Sequence, residues 1–228
     1  MTGLVRKATL LSLCGLLVAG VAMAGTPSAS TSTKPACVRL AGDNGTSADP
    51  TGAFTVVVRD LANNTVANSN VVLDFSACTE VHVANQASQK FAGMTITPVG
   101  KKVSAITNSV GVASFNIEGG IDPALGAAPA GCISISADNV PLGTITATST
   151  NTNMVLGLGT SNPVNAADAS AMLQRQLPVP QPYKASSDLN CDGAMNAGDV
   201  SVILALLLGP PVGGNSTVCP NPTTGYAW

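Results

Sequence analysis

Between Asp188 and Asp199 the chain reads DLNCDGAMNAGD, which puts oxygen-bearing side chains at positions 1, 3, 5, 9 and 12 of a twelve-residue loop. Calcium takes roughly six to eight hard oxygen ligands on a flexible loop. Asp188, Asn190 and Asp192 alternate so that their side chains aim inward, and Gly193 at position 6 permits the sharp turn. Ala194 at position 7 offers its backbone carbonyl, and Asp199 closes the loop from the first turn of a following helix. A solvated acidic turn ahead of a helix needs one capping oxygen, not three carboxylates. Two like charges about 4 Å apart cost about 4 kcal/mol at an effective dielectric near 20, so convergence of Asp188, Asp192 and Asp199 calls for a cation.

The elements around this loop are helical. Apolar residues recur at helical spacing over Asn165 to Leu177 and Gly198 to Leu208, and the Pro178 to Pro182 run between them cannot continue a helix. The segment VNAADASAML at 164–173 aligns with MNAGDVSVIL at 195–204, an offset of 31 residues. One half-loop and one helix per repeat, EF-hand ligand spacing, and Asp instead of Glu at the twelfth position resemble the type I dockerin domain, whose duplicated segments follow DxNxDGxxNxxD. The resemblance implies a calcium site at Asp188, Asn190, Asp192, Ala194 through its backbone, Asn196 through a water, and Asp199. It also implies a cohesin-like extracellular protein partner met by residues near each helix start, here Ala166, Ala167, Ala197 and Gly198. The first repeat departs from the pattern: Gly157, Gly159, Ser161 and Asn162 stand where the ligands and glycine belong, so calcium is expected only in the second. Val200, Ile203, Leu204 and Leu207 are expected to pack between the helices.

Upstream, short apolar or alternating runs are broken by turn residues: Phe54 to Arg59, Val71 to Phe75, Val81 to Val83, Lys102 to Ile106, Ala113 to Ile117, Ile133 to Ala137 and Thr144 to Thr148. Seven short strands with Asn63-Asn64 and Asn108 to Gly111 as turns suggest antiparallel hairpins in a β-sandwich. The stretches FTVVVRDLANNTVANSNVVLDFS and NSVGVASFNIEG resemble bacterial immunoglobulin-like domains of the invasin and intimin type. The expected fold is therefore mainly β with a small α domain. It comprises a signal peptide at 1–24, a flexible linker at 25–36, an immunoglobulin-like β-sandwich at 37–150, a dockerin-like module at 151–211 and a tail at 212–228. Within the module the repeats span 157–177, degenerate, and 188–208, intact.

Arg6 and Lys7, the apolar run from Ala8 to Val21 and the small-x-small Ala22-Met23-Ala24 read as a cleaved export signal, placing the chain outside the cell or on its surface without membrane insertion. Losing Arg6 and Lys7 from ten basic residues leaves eight against twelve acidic ones, a net charge near −4. That charge and only seven aromatic residues exclude a phosphate-neutralising, base-stacking surface, so no nucleic acid is expected. In an oxidising compartment Cys37, Cys78, Cys132, Cys191 and Cys219 should pair. A Cys191–Cys219 bridge would staple the tail to the loop. Cys78 with Cys132, leaving Cys37, is one arrangement of the rest.

Catalysis finds little in the sequence. His82 is the single histidine and sits in the alternating Val81-His82-Val83, and no nucleophile elbow or phosphate-binding loop occurs. Asp43, Asp49, Asp60, Asp74, Glu80, Glu118, Asp122 and Asp138 fall at strand ends and turns, where solvation is the default. The expectation is a non-enzymatic, calcium-binding structural or adhesion protein. The alternative is a carbohydrate-binding sandwich, against which Phe54, Phe75, Phe91 and Phe115 read as core.

Overall fold

The computed structural model describes residues 25–43, 46–122, 129–149, 166–175, 187–208 and 226–228. The signal segment, the first-repeat loop at 157–162, the Pro178 to Pro182 run and Cys219 lie outside them. Among the described residues the chain is mainly β, with ten strands and two helices. The strands are β1 Cys37–Leu40, β2 Ala53–Val57, β3 Asn70–Asp74, β4 Val81–Val83, β5 Met94–Thr97, β6 Lys102–Ile106, β7 Val112–Asn116, β8 Gly119–Ile121, β9 Ile133–Ala137 and β10 Val140–Ser149.

Six strands form one sheet in the order β1-β10-β9-β3-β6-β5, and β2-β7 and β4-β8 form two pairs. Only β1 runs parallel to its neighbour. The two-residue period of β-strands explains the core: Val71 and Leu73, Val103 and Ala105, and Ile133, Ile135 and Ala137 point inward while their neighbours do not. Val56, Phe115, Val81 and Val83 from the paired strands join the same apolar cluster, so all three sheets enclose one core.

The expected hairpins are corrected. Asn63 does adopt a left-handed φ of 68°, and Arg59 bridges Thr65 across the turn. Yet β2 then pairs with β7 and β3 with β6 and β9, so the turn carries the chain from one sheet to another. The turn at Asn108 to Gly111 does the same between β6 and β7. Asn108 Oδ1 accepts from the amides of Val110 and Val112, and Gly111 has φ 75° with its α-carbon so close that a Cβ would lie 2.7 Å from the Val58 carbonyl oxygen. Local turn chemistry is the same in a hairpin and in a crossover; burial on both sides decides between them.

The segment expected as a flexible linker, 25–36, is pinned instead. Pro27 bridges Asp60, Thr33 bridges Val57, and the hydroxyls of Thr31 and Ser32 donate to the carbonyls of Asp60 and Arg59. Its donors satisfy the backbone oxygens of Val57, at the end of β2, and of Arg59 and Asp60 just beyond it. The other end returns too: the Ala227 amide donates to the Val83 carbonyl at 2.8 Å, and Trp228 packs on Phe75 with ring centroids 5.9 Å apart. Cys78 pairs with Cys132 across the core, tying the β3–β4 connection to the start of β9.

Helices α1 Ala166–Arg175 and α2 Ala197–Leu208 pack on each other around Ala169, Met172, Leu189, Val200 and Ile203. The sequence repeat extends to burial. Asp168 and Asp199, Ala169 and Val200, and Met172 and Ile203 are buried as matched pairs, while Ser170 and Ser201 are exposed. Leu204, expected in the core, is 40% exposed, and its repeat mate Leu173 is 52% exposed. Both lie one residue past the buried stripe, about 100° round the helix from Met172 and Ile203.

Candidate metal centre

The loop from Asp188 to Asp199 is built by its own side chains. Asp188 Oδ1 accepts from the Asp192 amide at 3.1 Å and Oδ2 from the Gly193 amide at 2.8 Å, folding position 1 over the turn. Gly193 makes that turn at φ 86°, with no other atom within 4 Å of where a Cβ would stand, so backbone conformation and not space demands glycine. Asp199 Oδ1 accepts from the amides of Leu189 and Asn190 at 2.7 and 3.2 Å, and Oδ2 from the Asn196 amide at 2.7 Å. The last residue of the loop therefore clasps its beginning. Asn196 caps α2, its Oδ1 accepting from the Gly198 amide at 2.6 Å and its carbonyl accepting from Asp199.

Asp192 is the meeting point of the exposed side. Its Oδ2 accepts from the carboxamides of Asn190 at 2.9 Å and Asn196 at 3.0 Å, and its Oδ1 from the Ala194 amide. Hydrogen bonds from Asn196, Asn190 and Ala194, in that order, hold its carboxyl below the usual carboxylate range, so it stays ionised. Asp188 and Asp199 are buried, Asp192 is exposed.

Positions 1, 3, 5, 9 and 12 are thus joined in one hydrogen-bonded net, with Ala194 attached through its amide. Its chemistry suits a hard cation: three carboxylates, two carboxamides and the Ala194 backbone carbonyl, all able to offer oxygen. The fit needs a local change. Among the described residues no three acidic, His or Cys groups stand close enough together to hold a metal ion. Asn190 is held at both ends of its carboxamide, Oδ1 accepting from the Asp192 amide at 3.0 Å and Nδ2 donating to Asp192 Oδ2 at 2.9 Å, so an ion would have to draw the carboxylates together in place of these bonds.

The candidate partner positions Ala166, Ala167 and Ala197 are exposed, and Gly198 is half-buried. Gly198 is small for an internal reason, because a Cβ there would lie 2.8 Å from Asn190 Nδ2 and 2.9 Å from Asn196 Oδ1.

The disulfide at this loop corrects the Cys191–Cys219 expectation: Cys191 pairs with Cys37, Cα to Cα 6.1 Å, so Cys37 is not the residual thiol either. Position 4 thus meets β1. Arg39 Nη2 donates to the Leu189 carbonyl at 2.6 Å and draws the loop against that strand.

Several acids expected to be solvated are buried: Asp43, Asp49, Glu80 and Glu118. Burial first, and then a neighbouring Asp43 carboxyl, push Glu118 up to about 8, while Glu118 Oε1 accepts from the Lys90 amide at 2.6 Å. Position at a strand end could not reveal this, since Ala41, beside Asp43, bridges Glu118 across 77 residues of sequence. His82 lies on β4, edge-on to Tyr226 at 6.3 Å, and burial lowers its pKa. Phe75 and Phe115 are core as expected, whereas Phe54 and Phe91 are only partly buried and border an open depression of about 390 Å³ with Thr55 and Ser114.

Compared with protein-family models, curated proteins and solved structures, the chain matches none.

Proposed function

We propose that this is an exported, non-enzymatic protein in which an immunoglobulin-like β-sandwich is joined to a dockerin-like helical module that binds one calcium ion and docks to an extracellular protein partner. The observation that carries the reading is the closed loop at 188–199. Its five side-chain positions and its position-6 glycine all follow the calcium pattern, and its closing carboxylate gathers amides from both ends. Calcium bound there would offset the repulsion among the three carboxylates and order the loop, coupling metal to the packing of α2 on α1. The matched burial of the two helices supports a duplicated module, and the two disulfides suit an oxidising location. Among the described residues no helix is long and apolar enough to cross a membrane.

The test is helical ellipticity of chelator-treated protein on adding calcium. A saturable gain that is absent in Asp192→Ala supports the reading, and an unchanged spectrum in both proteins refutes it.

The depression beside Phe54 and Phe91 favours carbohydrate binding as a second reading, because partly exposed aromatic rings with the nearby Thr55 and Ser114 hydroxyls suit sugar rings. Glycan capture by the parent chain that is lost in Phe91→Ala would support it over the first.

A further inference from the structure

Strand β1 carries two groups that reach the candidate calcium loop. Its alternation sends Val38 and Leu40 into the core and leaves Cys37 and Arg39 half-buried on the other face. Cys37 is bonded to Cys191, and Arg39 Nη2 donates to the Leu189 carbonyl. As the number on β1 rises by two, its partner in the loop falls by two, so residues 189–191 lie antiparallel along 37–39. The attachments fall at loop positions 2 and 4, between the ligand positions 1, 3 and 5. Position 2 meets β1 through its backbone carbonyl and position 4 through its side chain, so neither attachment uses a side chain at a candidate ligand position. Leu189 also places its side chain in the helical core, so a single residue joins the loop, the helices and, through its carbonyl, the sheet. β1 in turn is fixed along β10, where Thr148 and Ser149 donate hydroxyls to the Val38 and Leu40 carbonyls.

We propose that Cys37 and Arg39 are positioning residues for the calcium loop, and that through them metal binding and the folding of the β core are one coupled equilibrium. The proposal rests on the calcium reading above. A loop held at positions 2 and 4 before the ion arrives loses less freedom on binding, so its affinity is higher than that of the same loop untethered. Linkage is reciprocal: whatever β1 contributes to calcium affinity, calcium returns as stability of the sheet that β1 belongs to.

The experiment uses the mature chain, a Cys37→Ala/Cys191→Ala double variant, and Arg39→Gln with the disulfide intact. Calcium affinity is measured by calorimetry. Thermal unfolding is followed with and without calcium by fluorescence of Trp228, the single tryptophan, which packs on Phe75 in the β core. In the parent chain, calcium at about a hundredfold above Kd should raise the Trp228 midpoint by roughly 5–10 °C. In the double variant the affinity should fall on the order of tenfold and the calcium-dependent rise at Trp228 should largely vanish, with helical ellipticity still responding to calcium. Arg39→Gln should lie between the two, and it decides the matter if the double variant does not fold. Undiminished affinity and an equal calcium-dependent rise in the variants would overturn the proposal and leave the calcium reading standing. Absence of calcium heat in the parent chain would remove the metal reading and the proposal with it.

Discussion

Replacing Glu118 with Gln should stabilise the protein at pH 8 to 9 and remove the loss of stability that Glu118 causes as pH rises. Glu118 is buried against the Asp43 carboxyl, and burial followed by that neighbour lifts its pKa from 4.5 to about 8. A carboxyl raised in the folded state holds a proton there that the unfolded chain releases. Its contribution is therefore complete below about pH 4.5 and is lost as pH rises towards 8. At about 1.4 kcal/mol per tenfold change in ionisation the ceiling is about 5 kcal/mol; relaxation of the segment carrying Asp43 and entry of water reduce this to on the order of 2–3 kcal/mol. Glutamine has the shape of the protonated acid, keeps an oxygen for the Lys90 amide and offers an N–H towards Asp43. The assay is urea unfolding in chelator from pH 5 to 9, read by Trp228 fluorescence. The parent chain should lose 2–3 kcal/mol over that range and the variant much less. Parallel curves, or a variant less stable than the parent at pH 8, would refute the raised Glu118 carboxyl.

Other consequences follow from packing and backbone. Ile203→Ala should cost about 3 kcal/mol in a helical-ellipticity melt, whereas Leu204→Ala, one residue further on and 40% exposed, should cost less than about 1 kcal/mol. Equal costs would contradict the packing of α1 on α2. Gly193→Ala should destabilise the loop by about 1–2 kcal/mol through its φ of 86°, measured as a weaker calcium affinity with the β core melt unchanged in chelator. Removing the Cys78–Cys132 bridge, which spans 54 residues, should cost about 4 kcal/mol in denaturant unfolding on the chain-entropy relation.

Much of the strand pattern was legible in residues such as Val71, Leu73, Val103, Ile133 and Ile135, because alternation over five residues is a local signal. β1, β5 and β8 were not, since Cys37–Leu40 and Met94–Thr97 are short and Gly119–Ile121 begins with two glycines, and all three are strands through their partners β10, β6 and β4. Crossovers and hairpins are indistinguishable in sequence here because Asn63-Asn64 and Asn108 to Gly111 have the same turn chemistry in either role. The segment 25–36 looked unable to order itself, and alone it would be; hydrogen bonds to Arg59 and Asp60 supply what apolar burial does not. At the candidate site the reverse holds. All six loop positions could be chosen from spacing, since their relation to one another is local. What spacing could not show was the non-local part: Cys191 meeting Cys37 over a separation of 154 residues, and Arg39 reaching Leu189.

Calcium titration of the mature chain by calorimetry, with Asp188→Ala and Asp168→Ala in parallel, tests the central claim most directly. One site is expected, lost in Asp188→Ala and kept in Asp168→Ala. No binding in the parent chain, or undiminished binding in Asp188→Ala, would contradict it.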